Sequence, residues 1–241
     1  MIIVTGGAGF IGSAFVWKLN TEGIDDILIV DRLGTSDKWK NMVGLRYTDY
    51  WHRDVFLNMI NGGGIPFDIS AIVHMGACSS TTERDADFLW MNNFAYTRTL
   101  AEWALKQGIR FIYASSAATY GDGTQGFSDD HALIPNLRPI NMYGYSKQIF
   151  DLWALRHKLE GQMAGIKFFN VFGPNEYHKG DMSSVIFKAF HQIRQTGKVK
   201  LFKSYLPQYG DGGQMRDFVY VKDCVNVLWW LLNHPSANGI F

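Results

Sequence analysis

Tyr143 and Lys147 stand four residues apart in the run Asn141-Met142-Tyr143-Gly144-Tyr145-Ser146-Lys147. Residues at that spacing share one face of a helix. An ammonium beside a phenol favours the phenolate, so a tyrosine with an ordinary pKa of about 10 can act as an acid/base near neutrality. The spacing alone is unspecific, because a packed tyrosine and a solvated lysine would show it too. Ser116, just past the apolar run at 110–114, adds a hydroxyl. The three together form a set in which the hydroxyl holds a substrate oxygen, the phenol moves its proton, and the ammonium tunes the phenol and binds a nicotinamide ribose.

Such chemistry needs a dinucleotide, and the N-terminus is built to bind one. Ile2-Ile3-Val4-Thr5 reads as a buried strand entering Gly6-Gly7-Ala8-Gly9-Phe10-Ile11-Gly12, in which Gly7, Gly9 and Gly12 spell G-x-G-x-x-G. The first glycine serves the tight turn, the second the approach of a pyrophosphate, and the third the packing of the next helix, over 10–20. The pyrophosphate then meets that helix N-terminus. A second apolar strand at 27–30 ends in Asp31, roughly twenty residues past the glycines, where an acid binds the adenosine ribose. Asp31 alone favours NAD. Arg32, Lys38 and Arg53 supply the cations a 2′-phosphate needs, so the expected cofactor is NADP.

The elements that must position these residues alternate. Strand patterns at 70–74, 110–114 and 165–169 are interleaved with helical patterns at 87–107 and 141–159, and a polar loop at 121–139 lies over the site. Strand–helix alternation predicts an α/β fold, a Rossmann doubly wound parallel sheet. The expected division is a dinucleotide-binding domain over 1–172 and a smaller C-terminal substrate domain over 173–241, with a segment near 216–234 returning to the first. The chain stops at the start of a strand pattern, Asn238-Gly239-Ile240-Phe241, so the smaller domain is expected to be truncated.

At 241 residues, 47% hydrophobic and 15% aromatic, the chain is long and apolar enough for a sizeable core. A net charge of +1 excludes nucleic acid or a membrane surface as the main partner. No leader is expected, since the strand pattern starts at Ile2, and the apolar run at 227–232 is far short of the ~20 residues of a membrane span. Cys78 and Cys224, the two cysteines, form no short-spaced pair, which points to a reducing cytoplasm. The seven histidines form no ligand cluster, and no metal is expected.

Thr5-Gly6-Gly7-Ala8-Gly9-Phe10-Ile11-Gly12, Ser115-Ser116, Tyr143-x-x-x-Lys147, Phe169-Asn170-Val171-Phe172-Gly173-Pro174 and Arg216-Asp217-Phe218-Val219-Tyr220-Val221 together resemble the extended short-chain dehydrogenases/reductases acting on nucleotide sugars. Gly76-Ala77-Cys78-Ser79-Ser80-Thr81-Thr82-Glu83 and His178-Lys179-Gly180 resemble the branch of that family that epimerises an ADP-linked heptose at C6″ for the lipopolysaccharide core. The resemblance implies tightly bound NADP, an ADP-sugar substrate and a homo-oligomer. It implies Tyr143 and Lys179 as the two proton-transferring residues, with Lys147 supporting Tyr143. It further implies a cofactor site drawn from Gly6, Gly9, Phe10, Ile11, Gly12, Asp31, Arg32, Lys38, Arg53, Met75, Gly76, Ala77, Cys78, Ser79, Asn92, Tyr143, Lys147, Val171 and Lys179. Substrate contacts are implied for Ser116, Asn170, Asp181, Lys188, Phe202 and Arg216. Met75, Asp181, Lys188 and the segment 203–209 depart from the branch pattern, which carries an acid, a serine and a histidine at the first three positions.

Three other readings are open at this point. A 4,6-dehydratase would want acids after Ser116, where Ala117-Ala118 stand. A UDP-sugar 4-epimerase shares every superfamily mark and lacks only the Cys78 and Lys179 segments. A non-catalytic dinucleotide sensor would have no need of Ser116, Tyr143 and Lys147.

Overall fold

The computed structural model describes residues 1–62 and 64–241. In chain order its elements are β1 (Ile2–Thr5), α1 (Phe10–Thr21), β2 (Ile27–Asp31), β3 (Asp49–His52), α2 (Arg53–Gly62), β4 (Ala71–His74), α3 (Ala86–Leu89) and α4 (Tyr96–Lys106). There follow β5 (Arg110–Ser116), α5 (Met142–Arg156), β6 (Ala164–Phe168), β7 (Asn170–Phe172), α6 (Val185–Thr196), β8 (Phe218–Tyr220), α7 (Val221–Asn233) and β9 (Gly239–Ile240).

Seven strands form one parallel sheet in the order β3-β2-β1-β4-β5-β6-β9. The strand order reverses between β1 and β4. Parallel strands covered on both faces must be apolar throughout, and β1, β2 and β4 are buried at every position. Alternate side chains enter separate cores. Val4, Ile29, Val73 and Ile112 pack with Phe15 and Leu19 of α1 and Val225 and Leu228 of α7. Ile3, Leu28, Ile72 and Phe111 pack on the other face with Phe56 of α2, Leu100 of α4 and Phe150 of α5. Each fully buried Leu, Ile or Phe contributes roughly 1.5–3 kcal/mol of transfer free energy, so both helical layers are strongly held.

Several elements differ from the sequence pattern. The edge strand β3 pairs with β2 from Leu28↔Asp49 to Asp31↔His52, but Asp-Tyr-Trp-His is half-exposed and has no apolar run to mark it. The helical pattern over 87–107 is broken by a π-turn, Trp90–Ala95, which buries the neighbours Asn92 and Asn93 together. The loop over 121–139 contains a 3₁₀ turn, His131–Asn136, and His131 Nε2 accepts the Ile240 N–H at 2.9 Å.

The end of the chain returns to the sheet. α7 lies against α1, and β9 pairs with β6 through Ala164↔Gly239. Arg110 fastens the intervening turn, donating to Ala237 O at 2.8 Å, Leu231 O at 3.3 Å and Asn238 Oδ1. Between β7 and β8, which pair only with each other, residues 173–217 form no strand of the main sheet. Among the described residues no helix is long and apolar enough to cross a membrane.

The helix that carries Tyr143 begins at Asn141, whose Oδ1 accepts the Gly144 N–H at 2.8 Å. Asn141→Ala removes that cap and is expected to cost about 1 kcal/mol. A thermal melt should show the midpoint lowered by roughly 2–4 °C, while an unchanged midpoint would mean that the cap is not used.

Candidate active site

Ligands of doubly wound sheets bind beyond the carboxyl ends of the strands where the order reverses, here between the loops after β1 and β4. The loops meet backbone to backbone. Gly6 has a left-handed φ of +68°, and a Cβ there would stand 2.6 Å from Gly76 Cα. A Cβ at Gly12 would stand 2.1 Å from Gly6 O, so α1 lies flush on the loop and aims its N-terminal N–H groups past it. The sequence assigns the tight turn to Gly7. The structure moves that role to Gly6, while Gly7 leaves room for Ile29, whose Cγ2 lies 2.9 Å from where a Cβ would be.

At the end of β2, Asp31 is engaged on both oxygens. Oδ2 accepts the Ala8 N–H at 2.9 Å, and Oδ1 accepts the Arg32 N–H at 2.6 Å and Lys38 Nζ at 2.7 Å. Asp31, Arg32, Lys38, Arg53, Gly76 and Asn92 line a cavity of about 200 Å³. Arg53 donates to Asn92 Oδ1 and lies over the Tyr96 ring at 5.7 Å. Phe88 and Tyr96 also line this cavity. Sequence reading missed them, because only the π-turned helix brings them to it.

β5 runs through Ser116, whose Oγ accepts the Ala118 N–H at 3.1 Å. The first turn of α5 presses on the short turn after β5, since a Cβ at Gly144 would stand 2.6 Å from Ala118 O. This contact brings Tyr143 close to Ser116. Burial, with Cys78 adding to it, pushes the phenol above its ordinary value, and the neighbouring Ser116 hydroxyl acts against it. The direction is opposite to that expected from the Tyr143/Lys147 spacing. Lys147 Nζ donates to Ala114 O at 2.8 Å, so the ammonium is spent on β5 rather than on the phenol. Burial pulls Lys147 down to about 8, with Asp151 the largest opposing influence.

Asn93 holds this corner and was not singled out by sequence. Its amide accepts the Cys78 N–H at 2.9 Å and donates to Cys78 O at 2.9 Å and to Ser146 Oγ at 2.9 Å. It thereby ties the loop after β4 to α5. Such a residue has no local signal, since its neighbours are 15 and 53 positions away.

Lys179 lies over the first residue of α1, with Nζ 5.4 Å from the centre of the Phe10 ring. Its segment is clamped by two residues the sequence did not single out. Asn41 donates to Ala8 O at 3.1 Å, Asn175 O at 3.0 Å and His178 Nδ1 at 3.1 Å. Buried Glu176 accepts from Gly173 N–H at 3.1 Å, Ser184 N–H at 2.6 Å and Ser184 Oγ at 2.9 Å. Burial lowers the Lys179 pKa, with Glu176 opposing.

The remaining expected substrate residues are scattered between Asn170 and Arg216. Asn170 donates to Asp217 O at 2.9 Å, and Lys188 donates to Asp181 O at 2.6 Å, joining two of the positions that depart from the branch pattern. Arg216 turns back on Met215 O at 2.7 Å, and Phe202 is 73% exposed. Val171 of β7 packs against the core, Met75 lies against the same core beneath the loop after β4, and Ser79 is exposed.

The profile of the NAD dependent epimerase/dehydratase family matches residues 2–241. The chain belongs to that family. An ADP-L-glycero-D-manno-heptose-6-epimerase of Nitratidesulfovibrio vulgaris (strain DP4) is 65% identical over 242 residues, covering 100% of this chain and 75% of that protein. Among solved structures, Helicobacter pylori ADP-L-glycero-D-manno-heptose-6-epimerase superposes with a TM-score of 0.81 at 26% identity, over 96% of this chain and 73% of that one. MoeE5 in complex with UDP-glucose and NAD gives 0.72 at 26% identity, over 98% and 73%. A nicotinamide dinucleotide is thus the cofactor type of this epimerase/dehydratase family member. The residues present suit it: Gly6 and Gly12, where a Cβ would strike backbone, let the loops after β1 and β4 and the start of α1 come together, and the N-terminus of α1 there has no side-chain cap.

Proposed function

We propose that this chain is an epimerase that interconverts ADP-D-glycero-D-manno-heptose and ADP-L-glycero-D-manno-heptose at C6″, with NADP as its resident cofactor. The observation that carries this reading is the 65% identity over the full chain with the Nitratidesulfovibrio vulgaris enzyme of that name. Two placements support it. Asp31 is neutralised by Lys38 and backbone amides at the mouth of a cavity that Arg32 and Arg53 also line, so the site is suited to a phosphate rather than a free 2′-hydroxyl. Tyr143 stands in the first turn of α5 near Ser116, and Lys179 lies over Phe10 at the start of α1.

Inverting C6″ requires a proton to be moved at the substrate oxygen on either face of the same carbon. Bound NADP supplies hydride acceptance and return. Tyr143 serves one face, with the Ser116 hydroxyl holding the same oxygen and the phenol passing the proton. Lys179 serves the other. Its burial favours the neutral amine, which can accept a proton. Lys147, charged and anchored on β5, binds the nicotinamide ribose. Glu176 and Asn41 keep the Lys179 segment against the glycine-rich loop, which closes the crevice to water on that side.

Arg32→Ala should weaken NADP more than NAD by about 1.5–3 kcal/mol, read by fluorescence titration of the apoenzyme, and equal wild-type affinity for both would contradict the assignment. Tyr143→Phe should lower epimerisation by roughly 10²–10⁴-fold with cofactor content intact. Lys179→Met should block interconversion in at least one direction and leave Tyr143 able to reduce an aldehyde analogue at C6″. If Lys179→Met epimerised normally, one residue would serve both faces, as expected for a UDP-sugar 4-epimerase.

A further inference from the structure

One turn beyond Lys147 on α5, Asp151 is fully buried. Its Oδ1 accepts the Tyr113 hydroxyl at 2.9 Å and its Oδ2 the Ser115 hydroxyl at 2.7 Å, with Lys167 Nζ 3.9 Å from Oδ2. Lys147 donates to the carbonyl of Ala114, the residue between those two hydroxyls. Three consecutive residues of β5, immediately before Ser116, therefore take up the carboxylate and the ammonium of one helix. Lys167 is fixed in turn by Thr119 Oγ1 at 3.0 Å and by the Tyr120 ring at 4.6 Å.

An isolated ammonium is not kept charged in such a place without a partner. The groups around Lys147 supply few candidates. From β4 comes His74, which burial pushes down to about 3 and so leaves neutral. The loop after β4 brings Cys78. β5 brings Tyr113, whose phenol burial pushes well up and so leaves neutral, and β6 brings the second cation, Lys167. On α5 itself stand Tyr143 and Asp151. Among these Asp151 is the carboxylate: burial pushes its pKa up, and Lys167, the Ser115 and Tyr113 hydroxyls and Lys147 act against that.

We propose that Asp151 is a positioning residue for Lys147: by taking up the hydroxyls on either side of Ala114 it keeps the Lys147 ammonium charged and anchored on β5, where it binds the nicotinamide ribose. The inference rests on the reading of Tyr143 and Lys147 as the working pair. Removing the carboxylate takes away the larger of the two influences that oppose burial, Asp151 and Cys78, so the Lys147 ammonium deprotonates at lower pH. A purely structural ion pair between Asp151 and Lys167 would leave Lys147 unmoved.

The test is the pH titration of Lys147 in the intact protein labelled with ¹³Cε-lysine, the resonance being assigned by its loss in Lys147→Arg. The wild type should titrate at about 8. Asp151→Asn should move the midpoint down by about 1–3 units, and the alkaline limb of epimerisation should move with it. The double variant Tyr113→Phe, Ser115→Ala keeps the charge and most of the packing but removes both hydroxyls from the carboxylate. It should shift the midpoint in the same direction by less, and serves where Asp151→Asn does not fold. An unshifted Lys147 in the folded variant overturns the proposal. Wild-type turnover of the ADP-heptose is read separately, so a failure of the functional reading shows there and a failure of the role of Asp151 shows in the titration.

Discussion

The site depends on one close approach, that of the backbone at Gly6 to the backbone at Gly76 across the gap between β1 and β4, where no side chain fits. The same carbonyl, Gly6 O, is where α1 closes down through Gly12. With those contacts in place, the N-terminus of α1, the Asp31 carboxylate bonded to Ala8, and the loop carrying Cys78 all face one crevice. Without them, the basic residues after β2 and the hydroxyls after β5 would belong to separate surfaces. A side chain added at Gly6 or Gly12 would push apart backbone rather than a flexible side-chain tip, so there is little room for adjustment.

A second constraint sits on the other side of the crevice. α5 has to lie close enough to β5 for Tyr143 to meet Ser116, and Gly144 permits it by touching Ala118 O. Lys147 and Asp151 then face β5 from a place that water does not reach. The Tyr143 phenol raised by burial and the Lys147 amine lowered by it show that desolvation outweighs the charge partners present in this structure. The pair is poised by burial more than by mutual contact.

Much of this was legible in the chain because it is written in local pattern. Wholly apolar runs at β1, β2 and β4 mark strands covered on both faces, and the glycines, Asp31 and the Tyr143/Lys147 spacing follow from the turns and helix that those strands require. Arg32 and Lys38 follow Asp31 closely enough for their meeting to be anticipated. Other parts have no local signal. β3 is polar because it is an edge, and the π-turn hides inside a helical period that continues on both sides. Asn93, Asn41 and Glu176 act through partners brought together only by the fold, as do Asp151 and the hydroxyls of Tyr113 and Ser115. The left-handed turn falls at Gly6 rather than Gly7, because the motif fixes the number of glycines and not which one bends.

In the proposed epimerisation C6″ is oxidised and reduced within one active site, with the same hydrogen returned to the opposite face. The most direct measurement is the fate of deuterium placed at C6″ of the ADP-heptose, followed by mass and NMR analysis of both epimers at equilibrium in ordinary water. Both epimers should keep the deuterium at C6″, with no solvent hydrogen entering there. Washout of the label into water would mean that the carbon is inverted by proton abstraction, and would contradict the account.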